Sequence, residues 1–257
     1  MRSEKITFTN KSGIELAARF DLPDKTPIAY TLAAHCFTCT KDIPAMHRIS
    51  TSLVEQGIGV LRFDFTGLGH SGGEFSNSGF RANLSDIESA VTFLQSQGAA
   101  PSILIGHSLG GTAMLAMAHK IPSAKLVASI GSPFQPGHSK HLFAHVLQDL
   151  ETNETTTVTL SGRTFIVTRA FVDELEGHDM VKNIHAIEGA VMVFHDPEDD
   201  VVEIHNARLI YEAAQHPKSF IALPKAGHMI NNHKTDAAYV ASVIADTARF
   251  LNIGMLP

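Results

Sequence analysis

The 257-residue sequence has no tryptophan and only two cysteines, Cys36 and Cys39. Two cysteines cannot build the multiple disulfides that hold small secreted domains together. No stretch reaches the about 18 consecutive apolar residues of a membrane-spanning helix, and residues 1–5 lead into an alternating strand pattern without the apolar core of a signal peptide. These absences predict a cytoplasmic protein that makes no contact with a membrane.

Positive charge is scarce as well. The chain has 20 lysines and arginines against 26 aspartates and glutamates, which gives a formal net charge of −6, and it has no run of basic residues. A nucleic-acid-binding surface needs an excess of positive charge, so we expect no nucleic-acid partner. Apolar residues at 44% and charged residues at 18% are instead typical of a globular domain with a large core.

Apolar runs and segments of helical spacing alternate along most of the chain. The predicted strands are residues 6–10, 14–21, 28–34, 58–63, 103–105, 125–130, 190–194 and 219–223, and the predicted helices are residues 45–56, 83–97, 112–121, 204–214 and 236–251. The first two strands flank a turn sequence and are expected to form a hairpin at the sheet edge. This alternation predicts the α/β class, with a mostly parallel eight-stranded sheet that helices cover on both faces.

Residues 132–188 interrupt the alternation. We interpret them as a small cap inserted after the sixth strand, and we take residues 1–131 and 189–257 as the α/β core. The cap's predicted elements are two strands at residues 155–160 and 164–168, a turn at Ser161–Gly162 and a helix at residues 169–176. An insertion at this point is expected to lie over Ser108, whose importance follows from the motif around it.

A strand-like run, the pattern Gly-x-Ser-x-Gly and a helix-forming segment follow one another at residues 103–121. This succession is typical of a nucleophile elbow, a tight turn that lifts a serine hydroxyl off the end of a buried strand. Gly106 and Gly110 leave the space that the turn requires. The following helix directs its N-terminal N–H groups and the positive end of its dipole toward the place where an oxyanion would form. Ser108 is therefore the predicted nucleophile.

A serine hydroxyl needs a base, and the base needs a carboxylate that holds it in the correct tautomer. In a strand–turn–helix arrangement these follow the serine in the order acid, then histidine. An acidic loop follows the predicted strand 190–194, and His228 follows the next strand. We assign Asp199 as the acid, with Asp200 as second choice and Asp196 as third. Each residue alone is a common surface residue, but their order and their positions at strand ends together predict a Ser108–Asp199–His228 triad.

Acyl transfer also needs two backbone N–H donors that stabilise an oxyanion. One comes from the residue after the nucleophile and the other from the loop after the third strand. Leu109 and Phe37 are the predicted donors.

Two loop motifs allow other interpretations. Cys36-x-x-Cys39 has the spacing of a redox pair, but such pairs lie at a helix N-terminus. It lies in the predicted oxyanion loop, so we favour small packing residues. The glycine-rich segment 64–73 resembles a phosphate cradle, but a cradle is followed directly by a helix. Because more loop follows it, we favour a tight connection.

His138, His141 and His145 have the spacing of one helical face, which resembles a set of metal ligands. Among 15 histidines such clusters arise by chance, and no cysteine or acidic residue falls on the same face. We favour a polar face of the cap and expect no metal.

Four stretches carry a family resemblance: His-Cys-Phe-Thr-Cys-Thr-Lys-Asp at 35–42, Leu-Arg-Phe-Asp-Phe-Thr-Gly-Leu-Gly at 61–69, Ile-Gly-His-Ser-Leu-Gly-Gly at 105–111 and His-Pro-Lys-Ser-Phe at 216–220. With them the sequence resembles the serine esterases of the α/β-hydrolase fold, most closely the hydrolase portion of bacterial proteins in which this domain is fused to an OsmC-like domain. Cinnamoyl and feruloyl esterases are similar too, with glycine in place of Cys36.

The resemblance implies hydrolysis of carboxylic esters by Ser108, Asp199 and His228, with the N–H groups of Phe37 and Leu109 binding the oxyanion. Short-chain acyl or aryl esters are our leading hypothesis for the substrates. The resemblance implies no cofactor. A thioesterase and a feruloyl-type esterase are the alternatives of the same class. A binding or redox-response module is the alternative of another class, and it would act with a separate OsmC-like protein, because the chain ends without such a domain. A homodimer also stays open.

The cap is expected to determine specificity. Its phenylalanines either line an apolar acyl pocket or hold the cap on the core, and the second role is favoured. They are Phe134, Phe143, Phe165 and Phe171.

Overall fold

The computed structural model describes residues 1–160, 162–231 and 235–254. The strands of this part are β1 Arg2–Thr9, β2 Glu15–Leu22, β3 Ala29–Ala34, β4 Ile58–Phe63, β5 Ile103–His107, β6 Leu126–Ile130, β7 Thr155–Leu160, β8 Arg163–Thr168, β9 Ala190–His195 and β10 Lys218–Ala222. The helices are α1 Pro44–Glu55, α2 Phe80–Ser96, α3 Leu109–Met117, α4 Asp149–Thr152, α5 Arg169–Asp173, α6 Met180–His185, α7 His205–Ala213 and α8 Asp236–Phe250. None of these helices has the length and apolarity to span a bilayer.

Eight strands form one sheet in the order β1-β2-β4-β3-β5-β6-β9-β10. The hairpin β1–β2 is antiparallel, and β2 pairs antiparallel with β4. The remaining strands of this sheet, β4, β3, β5, β6, β9 and β10, are parallel to one another. Strands β3 to β6 and β9 are buried almost throughout, as parallel strands between two helical layers must be. Helices α1 and α8 pack together on one face, and α2, α3, α6 and α7 cover the other. The predicted α/β-hydrolase fold is confirmed.

The parallel strands bring several loops to one edge of the sheet. Strand β5 runs between β3 and β6, and β9 lies beside β6. The chain leaves β3, β5, β6 and β9 at the same edge, since parallel strands share their carboxyl ends. This edge is where open α/β sheets hold their sites, and it is where the predicted nucleophile, acid and oxyanion loop all fall.

The segment between β6 and β9 contains a 3₁₀ stretch at Pro136–Val146, the short helix α4, the antiparallel hairpin β7–β8, α5 and α6. The predicted helix at residues 169–176 ends earlier, at Asp173. Helix α6 was not predicted, and it packs on α3 and α7 in the layer that covers the sheet. Of the predicted Ser161–Gly162 turn, Ser161 lies outside the described residues.

Candidate active site

Ser108 lies where the chain passes from the buried strand β5 into α3. Its φ is positive, at +52°, a conformation that residues other than glycine adopt rarely and at an energetic cost. Its N–H donates to the Ile130 carbonyl at 2.9 Å, and its own carbonyl accepts from the N–H of Gly111 at 2.9 Å. The strained turn is thus held from both sides.

The glycines of this turn are required by close packing. A Cβ atom at Gly106 would overlap the Cα atom of Gly111, and one at Gly110 would overlap the His35 carbonyl oxygen. The second contact also shows that the loop after β3 lies directly against the elbow.

Ser108, His228 and Asp199 form one continuous hydrogen-bonded chain. Nε2 of His228 lies 3.2 Å from Ser108 Oγ, and Nδ1 lies 2.8 Å from Asp199 Oδ2. A carboxylate only accepts, so the His228 proton is on Nδ1, and the lone pair of Nε2 faces the serine. The side chain of His228 is 10% exposed and that of Asp199 is 1% exposed. Ser108 and His228 can therefore exchange a proton in a site that is largely screened from water.

Asp199 is a buried carboxylate with hydrogen-bond partners on both oxygens. Besides His228, it accepts at Oδ1 from the N–H groups of Val201 and Val202, both at 2.9 Å. Burial alone would raise the pKa of Asp199. The hydrogen bonds from His228 and from these N–H groups outweigh burial and hold its pKa below the usual range. Asp199 is therefore ionised at neutral pH and can stabilise a protonated His228.

The two other acidic residues of this loop have different surroundings. Asp200 is exposed. Asp196 is buried, and it accepts from the N–H of Gly227 at 2.7 Å and from the N–H of Lys225 at 3.1 Å. Asp196 thus ties the loop that carries His228 to the end of β9, which is a positioning role.

Phe37 and Leu109, the predicted oxyanion donors, are neighbours. They line the same small cavity of about 10 Å³, together with Gly110 and Cys36. Leu109 is the first residue of α3, where an N–H has no acceptor within the helix. None of the backbone hydrogen bonds within the described part of the chain uses the Phe37 N–H. Both groups are available as donors.

Cys36 and Cys39 are joined by a disulfide, which corrects their interpretation as unpaired packing residues. Residues 36–39 form a turn in which the Cys39 N–H donates to the Cys36 carbonyl at 3.1 Å. The turn brings the two Cα atoms to 5.2 Å, a separation that a disulfide can bridge. A spacing of three residues does not by itself reveal such a turn.

A buried ion pair fixes the far end of this loop. Asp64 accepts from the backbone N–H and from Nζ of Lys41, both at 2.6 Å, and from the N–H of His70 at 2.9 Å. Arg62 donates to the Lys41 carbonyl at 2.6 Å and forms an ion pair with Asp21. The charges lie between β2, β4 and the loop, so they lock the loop onto the sheet.

The glycine-rich segment 64–73 wraps around the Asp64 carboxylate. The Ser71 hydroxyl donates to the Asp64 carbonyl at 2.6 Å, and the next α-helix, α2, begins only at Phe80. The Asp64 carboxylate fills the interior of this segment, and it would repel an anion such as phosphate. This arrangement favours the interpretation as a tight connection.

Three buried histidines that the sequence interpretation missed surround the site. His107 donates from Nε2 to the His228 carbonyl at 2.7 Å, His195 to the Val202 carbonyl at 2.7 Å, and His35 from Nδ1 to the Cys36 carbonyl at 2.7 Å. Burial lowers the pKa of all three, and that of His107 falls to about 4. They are neutral donors that hold the loops. Their signal in the sequence is a histidine at the end of a buried run.

His138, His141 and His145 lie in a stretch of 3₁₀ geometry and not in an α-helix, so the spacing argument for one α-helical face does not apply to them. His138 and His141 contact each other ring to edge, and each donates a ring N–H to a backbone carbonyl. In the described ranges, no group of three histidine, cysteine or acidic side chains is placed to hold a metal ion.

An aromatic cluster joins the predicted cap, residues 132–188, to the loop after β3 that contains Phe37. The Phe37 ring lies 5.7 Å from Phe75, 5.9 Å from Phe143 and 6.1 Å from Phe171, centroid to centroid, and Phe165 lies 4.4 Å from Phe75. Phe143, Phe165 and Phe171 are buried. The contacts of these three rings favour the role of holding the predicted cap on the core. Phe134 is only half-buried and donates its N–H to Asn206.

Comparison with known proteins shows the family to which the chain belongs. The family described as serine aminopeptidase, S33, matches residues 40–163. The crystal structure of the esterase domain of a Rhodothermus marinus protein is 41% identical, with 97% of this chain and 99% of that one covered and a TM-score of 0.79.

Two further proteins are similar at lower identity. Est1E from Butyrivibrio proteoclasticus, solved with ferulic acid bound, is 18% identical over 96% of this chain and 98% of its own, with a TM-score of 0.78. The uncharacterized protein YfhR of Escherichia coli O157:H7 is 23% identical over 235 residues, which are 88% of this chain and 74% of that protein. The near full-length match at 41% identity carries the assignment: the chain belongs to the α/β-hydrolase family of serine hydrolases and esterases.

Proposed function

We propose that this protein hydrolyses carboxylic esters through a covalent acyl-enzyme on Ser108. The observation that carries the proposal is the hydrogen-bonded chain from Ser108 Oγ to His228 at 3.2 Å and on to Asp199 at 2.8 Å. The free N–H groups of Phe37 and Leu109 beside it support the proposal. A nucleophile, a base, its orienting acid and an oxyanion site together are what acyl transfer requires.

In the first half of the reaction, Ser108 Oγ attacks the ester carbonyl carbon and its proton passes to Nε2 of His228. The negative charge that develops on the carbonyl oxygen is stabilised by the N–H groups of Phe37 and Leu109. Asp199 stabilises the imidazolium, and it stays ionised because its pKa is held low. The tetrahedral adduct collapses when His228 gives its proton to the alcohol oxygen, which leaves an acyl group on Ser108.

The second half repeats these steps with water. His228 takes a proton from the water molecule that attacks the acyl-enzyme, and the same N–H groups stabilise the second tetrahedral adduct. Collapse returns the proton to Ser108 and releases the carboxylic acid. No step needs a redox group, because the reaction moves only protons and acyl groups.

We propose short-chain acyl or aryl esters as substrates. The Phe37 ring packs against Phe75, Phe143 and Phe171, so protein side chains already occupy the space beside this donor, which favours a short acyl group. The esterase described for the Rhodothermus marinus protein supports the ester class, and the ferulic acid bound to Est1E makes an aromatic acyl group worth including.

The test is steady-state hydrolysis by the wild type and the Ser108→Ala variant. The substrates are p-nitrophenyl esters of graded acyl length, methyl ferulate, a thioester and an amino-acid arylamide. We expect the highest kcat/KM for acetate or butyrate esters and a loss of about 10³ or more in Ser108→Ala. A preference for the arylamide would assign a peptidase, and full activity of Ser108→Ala would refute the mechanism.

A fluorophosphonate probe separates catalysis from a binding role. A module that acts only by binding an OsmC-like partner has no need of an activated serine, so Ser108 would stay unlabelled. The proposal requires stoichiometric labelling.

A further inference from the structure

The disulfide Cys36–Cys39 encloses the residue whose N–H is the second oxyanion donor. Phe37 is bonded directly to Cys36, and Thr38 completes the turn. Phe37 N–H is a backbone group, so only the conformation of this turn decides where it lies. A constraint on residues 36–39 is therefore a constraint on the oxyanion site.

The turn would not be stable from local preferences alone. Thr38 has φ +59°, and a β-branched residue adopts this left-handed conformation only when its surroundings impose it. The Cys36 carbonyl is held by the N–H of Cys39 at 3.1 Å and by Nδ1 of His35 at 2.7 Å. The disulfide closes the turn on its other side.

Neighbouring contacts hold other parts of the loop. The His35 carbonyl lies against Gly110, and Lys41 is locked to Asp64. The Phe37 ring packs on Phe75 and the predicted cap. The peptide plane between Cys36 and Phe37, which carries the donor N–H, is held through the Cys36 carbonyl alone, by His35 and by the Cys39 N–H. The disulfide keeps Cys39 in the position from which it makes the second of these bonds.

We infer that the Cys36–Cys39 disulfide is a positioning element that holds the Phe37 N–H in place for oxyanion stabilisation, and that opening it lowers the rate of ester hydrolysis. The inference rests on the proposed function. A dithiol opens the bond by donating two electrons and two protons: the S–S bond breaks, both cysteines become thiols and the dithiol becomes a disulfide. Cys39 is half-buried, so a small dithiol can reach the turn.

The size of the effect is set by the donor. Losing one oxyanion donor lowers turnover by about 10²–10³. The loop retains its contacts at His35, Lys41 and the Phe37 ring after reduction, so the donor is displaced and not removed. We expect kcat to fall about tenfold, with KM changed less than twofold, because the ground-state ester makes little use of the donor.

The experiment compares air-oxidised and dithiothreitol-treated protein with p-nitrophenyl acetate. Thiol titration in denaturant should find no free thiol before treatment and two after it. The Ki of a trifluoromethyl ketone, which forms a tetrahedral adduct on serine, should rise in parallel with the fall in kcat. Reoxidation should restore both values.

The matched control is the double variant Cys36→Ala, Cys39→Ala, which has no disulfide. Alanine is used because a serine hydroxyl would lie buried at position 36. Its kcat should equal that of the reduced wild type and should not respond to dithiothreitol, while circular dichroism shows that it is folded.

Three outcomes overturn the inference: two free thiols in the oxidised protein, a kcat unchanged on reduction, or an effect confined to KM. Failure of the proposed function is distinguishable. In that case the oxidised protein turns over no ester, or Ser108→Ala is as active as the wild type.

Discussion

Replacing Asp199 by asparagine keeps the size of the side chain but removes its charge and one accepting atom. Oδ1 of Asp199 accepts two backbone N–H groups, those of Val201 and Val202, both at 2.9 Å, and only an oxygen can satisfy them. The asparagine oxygen must therefore face these groups, and its NH₂ group must face His228. This side chain then donates where Asp199 accepted.

The consequence falls on the tautomer of His228. Its Nδ1, 2.8 Å from the replaced oxygen, has to accept from the asparagine NH₂, so the ring proton moves to Nε2. In that tautomer Nε2 faces Ser108 with a proton and cannot take another. We expect kcat to fall by about 10⁴, which corresponds to about 5 kcal/mol of lost transition-state stabilisation.

The assay is kcat and KM on p-nitrophenyl acetate, with melting by circular dichroism to show that the variant is folded. Asp200→Asn is the matched control, because it makes the same chemical change at the adjacent, exposed residue, and it should stay within twofold of the wild type. An Asp199→Asn enzyme within tenfold of the wild type, or an equal loss in Asp200→Asn, would refute the assignment of the acid.

Three further predictions concern stability. The folded chain holds the pKa of His107 at about 4 against 6.5 for the free side chain, so the unfolded chain binds the extra proton and stability falls as pH drops from 6.5 toward 4. Urea unfolding at pH 7 and at pH 5 measures how much unfolding free energy is lost between the two pH values. This loss should be about 2 kcal/mol smaller in His107→Gln than in the wild type, and an equal loss in the two proteins would contradict the prediction. Lys41→Met leaves the buried Asp64 carboxylate without its cation and should lower the free energy of unfolding by about 3–5 kcal/mol. Lys41→Arg keeps a cation beside Asp64 and should retain most of the wild-type stability. A loss below about 1 kcal/mol in Lys41→Met would show that the pair is not stabilising. Phe143→Ala empties a fully buried position and should destabilise by about 3–5 kcal/mol, whereas Phe250→Ala, at a residue 84% exposed, should have no measurable effect; equal effects would contradict the packing role.

The layered core could be predicted from the sequence because its signals are local. Strand β4 occupies residues 58–63 as the apolar run predicts, and β7 occupies 155–160. Helix boundaries shift more, since α3 begins at Leu109 and α2 begins at Phe80, each three residues before the predicted start. The first turn of α3 contains Gly110 and Gly111, which give no apolar spacing for the sequence pattern to detect.

The supporting interactions of the site could not be predicted, because they join distant segments. Lys41 and Asp64 are 23 residues apart, and His107 meets the His228 carbonyl across 121 residues. No periodicity connects such pairs. The disulfide is local, but it depends on a positive φ at Thr38 that its side chain does not favour.

The central claim is that Ser108 is an activated nucleophile, and covalent labelling tests it most directly. The protein would be treated with a fluorophosphonate, digested and examined by mass spectrometry, beside the His228→Gln variant. The account predicts one adduct per chain, on the peptide that contains Ser108. In His228→Gln the base is lost, so the adduct should form at least about 100-fold more slowly, which is about the factor that general-base catalysis contributes. Labelling at another serine, no labelling, or an equal rate in the variant would contradict it.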